Sequence, residues 1–205
     1  MRNPKVENSV LETYLIKGSD DLKEILNYPY HEIHLEIGCG NGMFTSQLAH
    51  FNPKSLILAC ELDYKRTKKT ISRFYKQSLT NGKFFHGKGE DLLTFLSSQS
   101  LDAFYLNFPD PWPKKKHHKR RFFYPQENLV AVIDKLKPHG KLYFVSDHEE
   151  YFFFTLEERL KKNQTIISAL QKDYDFSLPN YFSTYYEDKF KAMGKRIYYA
   201  CFQKI

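Results

Sequence analysis

Two acidic residues set about a glycine-rich turn, and a proline-framed aspartate followed by a run of cations, are the parts of this chain whose types and spacing could do chemistry. The turn reads Glu36-Ile37-Gly38-Cys39-Gly40-Asn41-Gly42. Its glycines let the backbone turn sharply and let a ligand lie against it, and a helix starting just beyond presents free N–H groups. Dinucleotide enzymes use a similar turn, so the glycines alone do not choose a ligand. Glu36 narrows the choice: a carboxylate at the strand end attracts a cationic ligand end and repels a pyrophosphate. Glu61 closes the next apolar segment about 20 residues beyond the turn, where an acid can hold ribose hydroxyls.

The second constellation is Asn107-Phe108-Pro109-Asp110-Pro111-Trp112-Pro113, with Lys114-Lys115-Lys116-His117-His118-Lys119-Arg120-Arg121 directly after it. Three prolines in five residues restrict the backbone and should hold Asp110 and Trp112 in fixed directions. Six of the next eight residues are Lys or Arg, a phosphate-binding run beside a candidate active site. His117 and His118 have no Cys or His partner at a ligand spacing, so no metal site is expected.

These groups need a scaffold that presents strand ends, and the apolar pattern supplies one. Short strands are expected at Ile33–Ile37, Ser55–Cys60, Lys83–His86, Leu101–Phe108, Leu142–Ser146 and Ile197–Phe202. Helices are expected at Asp20–Leu26, Met43–Phe51, Asp63–Ser78, Asp91–Leu96 and Pro125–Leu136, the last beginning on a proline and ended by Pro138 and Gly140. Glu149–Leu170 should contain a long helix. Strand–helix alternation of this kind argues for a mostly parallel sheet covered on both faces, with ligands at the carboxyl ends of its strands. The candidate residues fall just after strands, as that rule requires.

The 205 residues suit a single domain, with residues 1–30 as an N-terminal helical extension and 109–121 as a functional loop. Lys plus Arg number 31 against 24 acids, a net charge of +7 that favours polyanionic partners. Aromatic residues make up 17%, enough that some rings should lie near the surface. Cys39, Cys60 and Cys201 are far apart and read as free thiols of a reducing compartment. Met1–Val10 carries charges without an apolar core, so it is not expected to be a signal peptide, and no apolar run approaches a membrane span. A cytoplasmic protein is expected.

Strand-end acid, glycine turn and second acid together look like a class I S-adenosylmethionine-dependent methyltransferase, whose Rossmann-like α/β fold carries a mostly parallel seven-stranded sheet with an antiparallel C-terminal strand. The segment Phe108–Arg121 resembles the signature of bacterial tRNA (guanine-N7-)-methyltransferases, the TrmB family. Ser146-Asp147 with Tyr151 resembles that family's acid after the fifth strand. Thr184-Tyr185-Tyr186-Glu187, with Phe190 and Gly194, resembles its C-terminal Thr-x-x-Glu segment. The resemblance spans roughly residues 32–203.

It implies S-adenosylmethionine as methyl donor, tRNA as partner and 7-methylguanosine in the variable loop as product. Glu36, Gly38, Gly40, Glu61, Glu90 and Asp110 become cofactor contacts, and Asp110 also the catalytic residue. Lys114, Asp147, Thr184, Tyr185, Tyr186 and Glu187 become substrate contacts, and Lys115, Lys116, Lys119, Arg120 and Arg121 hold RNA phosphates. Where the family has an Asp after the third strand this sequence has Lys88, with Gly89, Glu90 and Asp91 following; Glu90 is the candidate replacement carboxylate, and which of Lys88, Glu90 and Asp91 takes that position stays open. Lys116 stands for a common Arg, keeping charge but losing the planar fork. A monomer and a homodimer both remain open. So do a nicotinamide-dependent oxidoreductase and a non-catalytic RNA-binding protein on the same fold. An adenine or cytosine amino-methyltransferase fits less well, because Asn107-Phe108-Pro109-Asp110 departs from the Asn/Asp-Pro-Pro-Tyr pattern of those enzymes.

Overall fold

The computed structural model describes residues 7–179 and 181–205. Residues 1–6, the first part of the expected N-terminal helical extension, lie outside the described residues. Seven strands, mostly parallel to their neighbours, are shared between two compact units, Met1–Leu96 and Ser97–Ile205.

The first unit carries α1 (Asn8–Tyr14), α2 (Ser19–Leu26), β1 (Ile33–Ile37), α3 (Met43–Phe51), β2 (Leu56–Glu61), α4 (Tyr64–Lys76), β3 (Gly82–His86) and α5 (Gly89–Phe95). Its strands lie in the order β3-β2-β1, all parallel, with Leu35 opposite Leu58 and Ala59 opposite Phe84. β2 is buried at every position, which is why it reads as an unbroken apolar run rather than an alternation. α4 turns Thr67, Thr70, Ile71 and Phe74 inward, and Asp63 caps it by accepting from the Lys65 and Arg66 amides at 2.7 and 3.2 Å. The N-terminal extension is partly built into this unit: Leu11 and Tyr14 are buried, and the Ile16 amide donates to the Phe84 carbonyl beside β3.

The second unit holds β4 (Leu101–Asn107), a 3₁₀ segment (Lys115–Arg120), α6 (Gln126–Lys135), β5 (Leu136–Ser146), α7 (Glu149–Thr155), a π-helical turn (Leu156–Leu160), β6 (Ile166–Ser168), α8 (Tyr185–Ala192) and β7 (Tyr198–Lys204). Its order is β4-β5-β7-β6, and β7 runs antiparallel to both neighbours, as expected of the C-terminal strand. Three expectations change here. Pro125 stands at the N-cap of α6 rather than within its first turn. β5 starts at Leu136, not Leu142, because Leu136 already pairs with Leu101; the register then shifts before Lys141 meets Ala103. Gly140 belongs to that irregular stretch, where a Cβ would meet the Lys137 and Leu101 carbonyl oxygens at 2.9 and 3.1 Å. Finally, the long helix expected within 149–170 stops at Leu160. Asn163 turns the chain by accepting from the Thr165 amide, and the β-branched pair Ile166-Ile167 pairs with β7 instead.

All three cysteines are free and buried. Burial pushes the Cys60 thiol up to about 12 and the Cys201 thiol up to about 11. No helix among the described residues is long and apolar enough to cross a membrane.

Candidate active site

In the first unit the glycine turn leaves β1 with Gly38, Gly40 and Gly42 all at positive φ, 78°, 59° and 71°. Only glycine takes such angles without strain. The turn is tied to β2 by the Gly38 and Cys39 amides, which both donate to the Cys60 carbonyl, and to α4 by the Thr70 hydroxyl, which donates to the Gly40 carbonyl at 3.1 Å. A Cβ on Gly38 or Gly40 would meet nothing within 4 Å. The backbone therefore faces open space, as a ligand cradle must.

Two buried carboxylates frame that cradle. Glu36, 2% exposed, accepts from the Thr45 hydroxyl on α3 at 2.5 Å. Glu61 is buried too, so it is not a solvated loop charge. One of its oxygens accepts from the Gly40 amide at 3.0 Å and the other from the Asp63 amide at 2.9 Å. Glu61 thus shapes the glycine turn itself, and each oxygen keeps a lone pair for a hydroxyl donor. Glu90 lies exposed in the first turn of α5, after Lys88 at the N-cap. The donor set fits S-adenosylmethionine: carboxylates for its cationic methionine end and ribose, which would repel a pyrophosphate.

In the second unit, Asp110 is exposed between two residues that hold the loop under strain. Phe108 and Trp112 have φ of 48° and 41°, a region bulky side chains avoid at a cost of roughly 1–3 kcal/mol each. Packing offsets the strain at Phe108: its ring lies against Val145, Ile197 and Tyr199, and its amide continues the ladder to the Val145 carbonyl at 2.8 Å. Beyond Asp110, the Pro111 carbonyl is gripped by Arg121 Nε at 2.6 Å. The aspartate is thereby held from both sides.

Arg121 overturns one expectation. It is buried, 1% exposed, and cannot reach an RNA phosphate. Its guanidinium makes a two-pronged pair with Glu150 of α7 at 3.0 and 2.5 Å and lies over the Tyr151 ring at 4.7 Å. It also meets His118 Nε2 at 3.0 Å; guanidinium can only donate, so that nitrogen is the unprotonated one. Arg121 is a strut behind the loop. The rest of the run behaves otherwise. Lys114, Lys115, Lys116, Lys119 and Arg120 are exposed, and none of them pairs with a carboxylate among the described residues. Arg120 lies over the Trp112 ring at 4.9 Å, which gives that indole a cationic partner within the loop.

The C-terminal motif makes one half of a capping box: the Thr184 cap bond forms, while the Glu187 side chain turns to other partners. Thr184 is the N-cap of α8, its hydroxyl accepting from the Glu187 amide at 2.9 Å. Glu187 is buried; one oxygen accepts from Lys191 Nζ and the Tyr199 hydroxyl, both at 2.6 Å, while Oε2 is buried with no partner among the described residues. Burial, and the bond to Glu187, raise the Tyr199 hydroxyl pKa well above its ordinary value, so it remains a donor. An orphaned carboxylate oxygen is costly unless a ligand donor reaches it. Tyr186 stacks on Phe190 at 5.9 Å, and Tyr185 is half exposed beside it. Asp147 is taken up by Lys195 at 2.5 Å, a partner 48 residues away that sequence spacing could not reveal. Equally hidden were Tyr199 and the Tyr181 hydroxyl on Asn107 Oδ1 at 2.5 Å.

Among the described residues no cluster of His, Cys, Asp and Glu could hold a metal ion. Residues 30–200 match a family model described as a putative methyltransferase. Over 202 residues the chain is 36% identical to the tRNA (guanine-N(7)-)-methyltransferase of Mesoplasma florum, covering 91% of this chain and 89% of that protein. The enzyme of the same name from Enterococcus faecalis is 32% identical over 169 residues, 82% of this chain and 78% of that one. A solved antibiotic-related methyltransferase superposes with a TM-score of 0.68 at 19% identity, over 94% of this chain and 98% of the other, a likeness of fold.

Proposed function

The chain belongs to the tRNA (guanine-N7-)-methyltransferase family, and on that premise we propose that it methylates N7 of a guanine in the tRNA variable loop, giving 7-methylguanosine, with Asp110 as the catalytic residue. S-adenosylmethionine, when bound, supplies the electrophilic methyl group. Glu36, Gly38, Gly40 and Glu61 hold that donor, and Glu90 serves its adenine side in place of the missing Asp at Lys88. Asp110 contributes to holding it as well.

Guanine N7 carries a free lone pair and no proton, so the chain needs no strong base. Its task is to hold the purine still and to stabilise the positive charge that methylation moves onto the ring. Asp110 does the second, because a fixed carboxylate interacts more strongly with the transition state than with the neutral base. Glu187 Oε2, sealed in the free protein, takes a guanine N–H once α8 moves aside to admit the base, which satisfies its orphaned oxygen. Asp147 competes for the same role only if Lys195 releases it. Tyr185 and Tyr186 offer ring faces for a base drawn from its stack, and Thr184 fixes the helix that carries them. Lys114, Lys115, Lys116, Lys119 and Arg120 take the phosphates.

The observation that carries this reading is the strained, doubly anchored loop, which sets one exposed carboxylate at the head of an unpaired cationic run. Nucleoside mass spectrometry on unmodified tRNA incubated with the protein and S-adenosylmethionine tests it. New 7-methylguanosine in the variable loop is expected; cofactor binding without any methylated guanine would refute it.

A further inference from the structure

α4 carries a charge pattern that its own stability does not favour. Its thirteen residues include Lys65, Arg66, Lys68, Lys69, Arg73 and Lys76 and no acid. With Thr67, Thr70, Ile71 and Phe74 facing the core, Lys65, Arg66, Lys68 and Lys69 occupy the opposite, exposed face. Lys65 and Arg66 stand in the first turn, against the positive end of the helix dipole. Lys65 with Lys69, and Lys69 with Arg73, are like charges one turn apart, an arrangement that weakens a helix. No carboxylate pairs with Lys65, Arg66, Lys68 or Lys69 among the described residues; the nearby Asp63 is engaged with backbone amides. Lys68 lies over the exposed Tyr64 ring at 4.8 Å. The inner side of the same helix braces the glycine turn, through Thr70 on Gly40 and Arg73 Nε on the Asn41 carbonyl at 3.1 Å.

From this we infer that the outer face of α4 is a second RNA-phosphate-binding surface, in a different unit from the cationic run at 114–120. The inference rests on tRNA being the substrate. A polyanion relieves the repulsion between the four cations, which fan around little more than one turn of the helix and can meet phosphates on both sides of it. An anionic membrane is the weaker match, because a helix that lies in a bilayer surface must offer an apolar face. Here that face is consumed in the core, where Phe74 packs edge-on against Phe84 at 4.8 Å.

The test is the variant Lys65→Gln/Arg66→Gln/Lys68→Gln/Lys69→Gln beside the unaltered protein, with an unmodified tRNA transcript as probe. The variant should bind the transcript about tenfold more weakly or worse, and the slope of log Kd against log salt should flatten by about 3. Its affinity for S-adenosylmethionine and its Tm should not fall, which separates lost contacts from lost folding. If the unaltered protein makes 7-methylguanosine and the variant keeps the same slope and the same KM for tRNA, the surface is refuted and the activity stands. If the unaltered protein makes none, yet transcript binding still loses slope in the variant, the surface stands and the activity falls. Binding to phosphatidylserine vesicles that the substitutions abolish, with transcript binding unchanged, would also overturn the proposal.

Discussion

Replacing the half-exposed member of the Arg121–Glu150 pair should do more damage than replacing the buried one. The Arg121 side chain is 0% exposed and that of Glu150 54%. Glu150→Ala leaves a guanidinium sealed in the protein with only the Pro111 carbonyl and one His118 nitrogen as acceptors. An uncompensated buried charge of that kind costs about 3–5 kcal/mol. Arg121→Met removes the charge together with the side chain, and Glu150 simply returns to water. What remains is an unsatisfied Pro111 carbonyl, worth about 1–3 kcal/mol. The two variants should therefore differ by about 2 kcal/mol, or roughly 4–8 °C in Tm for a chain of this size. Thermal unfolding followed by circular dichroism measures it. Equal melting temperatures, or a lower one for Arg121→Met, would refute the view that the cation is the sealed partner. Arg121→Met also frees the Pro111 carbonyl beside Asp110, so its kcat should drop by about 10²-fold while tRNA still binds.

The same pair sets an acid limit. Its hydrogen bond from Arg121 holds the Glu150 carboxyl below the usual range, so its stabilisation is complete above the ordinary glutamate value of about 4.3 and is lost as pH falls through the lowered one; the acid limb of Tm against pH should be shallower in Glu150→Ala. Asp110→Ala should retain tRNA binding and lose about 10²–10³-fold in kcat, and single-turnover rates equal to those of the unaltered protein would remove Asp110 from the mechanism. Changing Lys114, Lys115, Lys116, Lys119 and Arg120 together to Gln should flatten the salt dependence of tRNA binding by about 4, read by filter binding over a salt series; an unchanged slope would take the run out of RNA recognition.

What the sequence disclosed and what it withheld follow from how far apart partners lie. β1 and α3 fall at their expected bounds, because apolar spacing and the glycine turn between them are local signals. Glu36 and Glu61 were legible as candidates for the same reason, each among the last two residues of an apolar strand. Arg121 was not: its neighbours are cations, and what buries it is Glu150, 29 residues on. β6 was hidden inside a helix-like stretch whose stop signal, Asn163-Gln164-Thr165, is a short turn. Thr184-x-x-Glu187 carries two meanings. It was visible as a motif, but only the structure joins its helix-capping role to a carboxylate half-used by Tyr199 and Lys191.

The buried cysteines give each unit its own clock. A thiol reagent attacks thiolate, and the folded chain presents almost none, since burial raises the pKa of all three thiols. Alkylation must wait for the surrounding structure to open. Cys39 and Cys60 report on the glycine turn and β2, and Cys201 on β7. Without adding a label, the rate at which each mass appears dates the opening of one half of the molecule independently of the other.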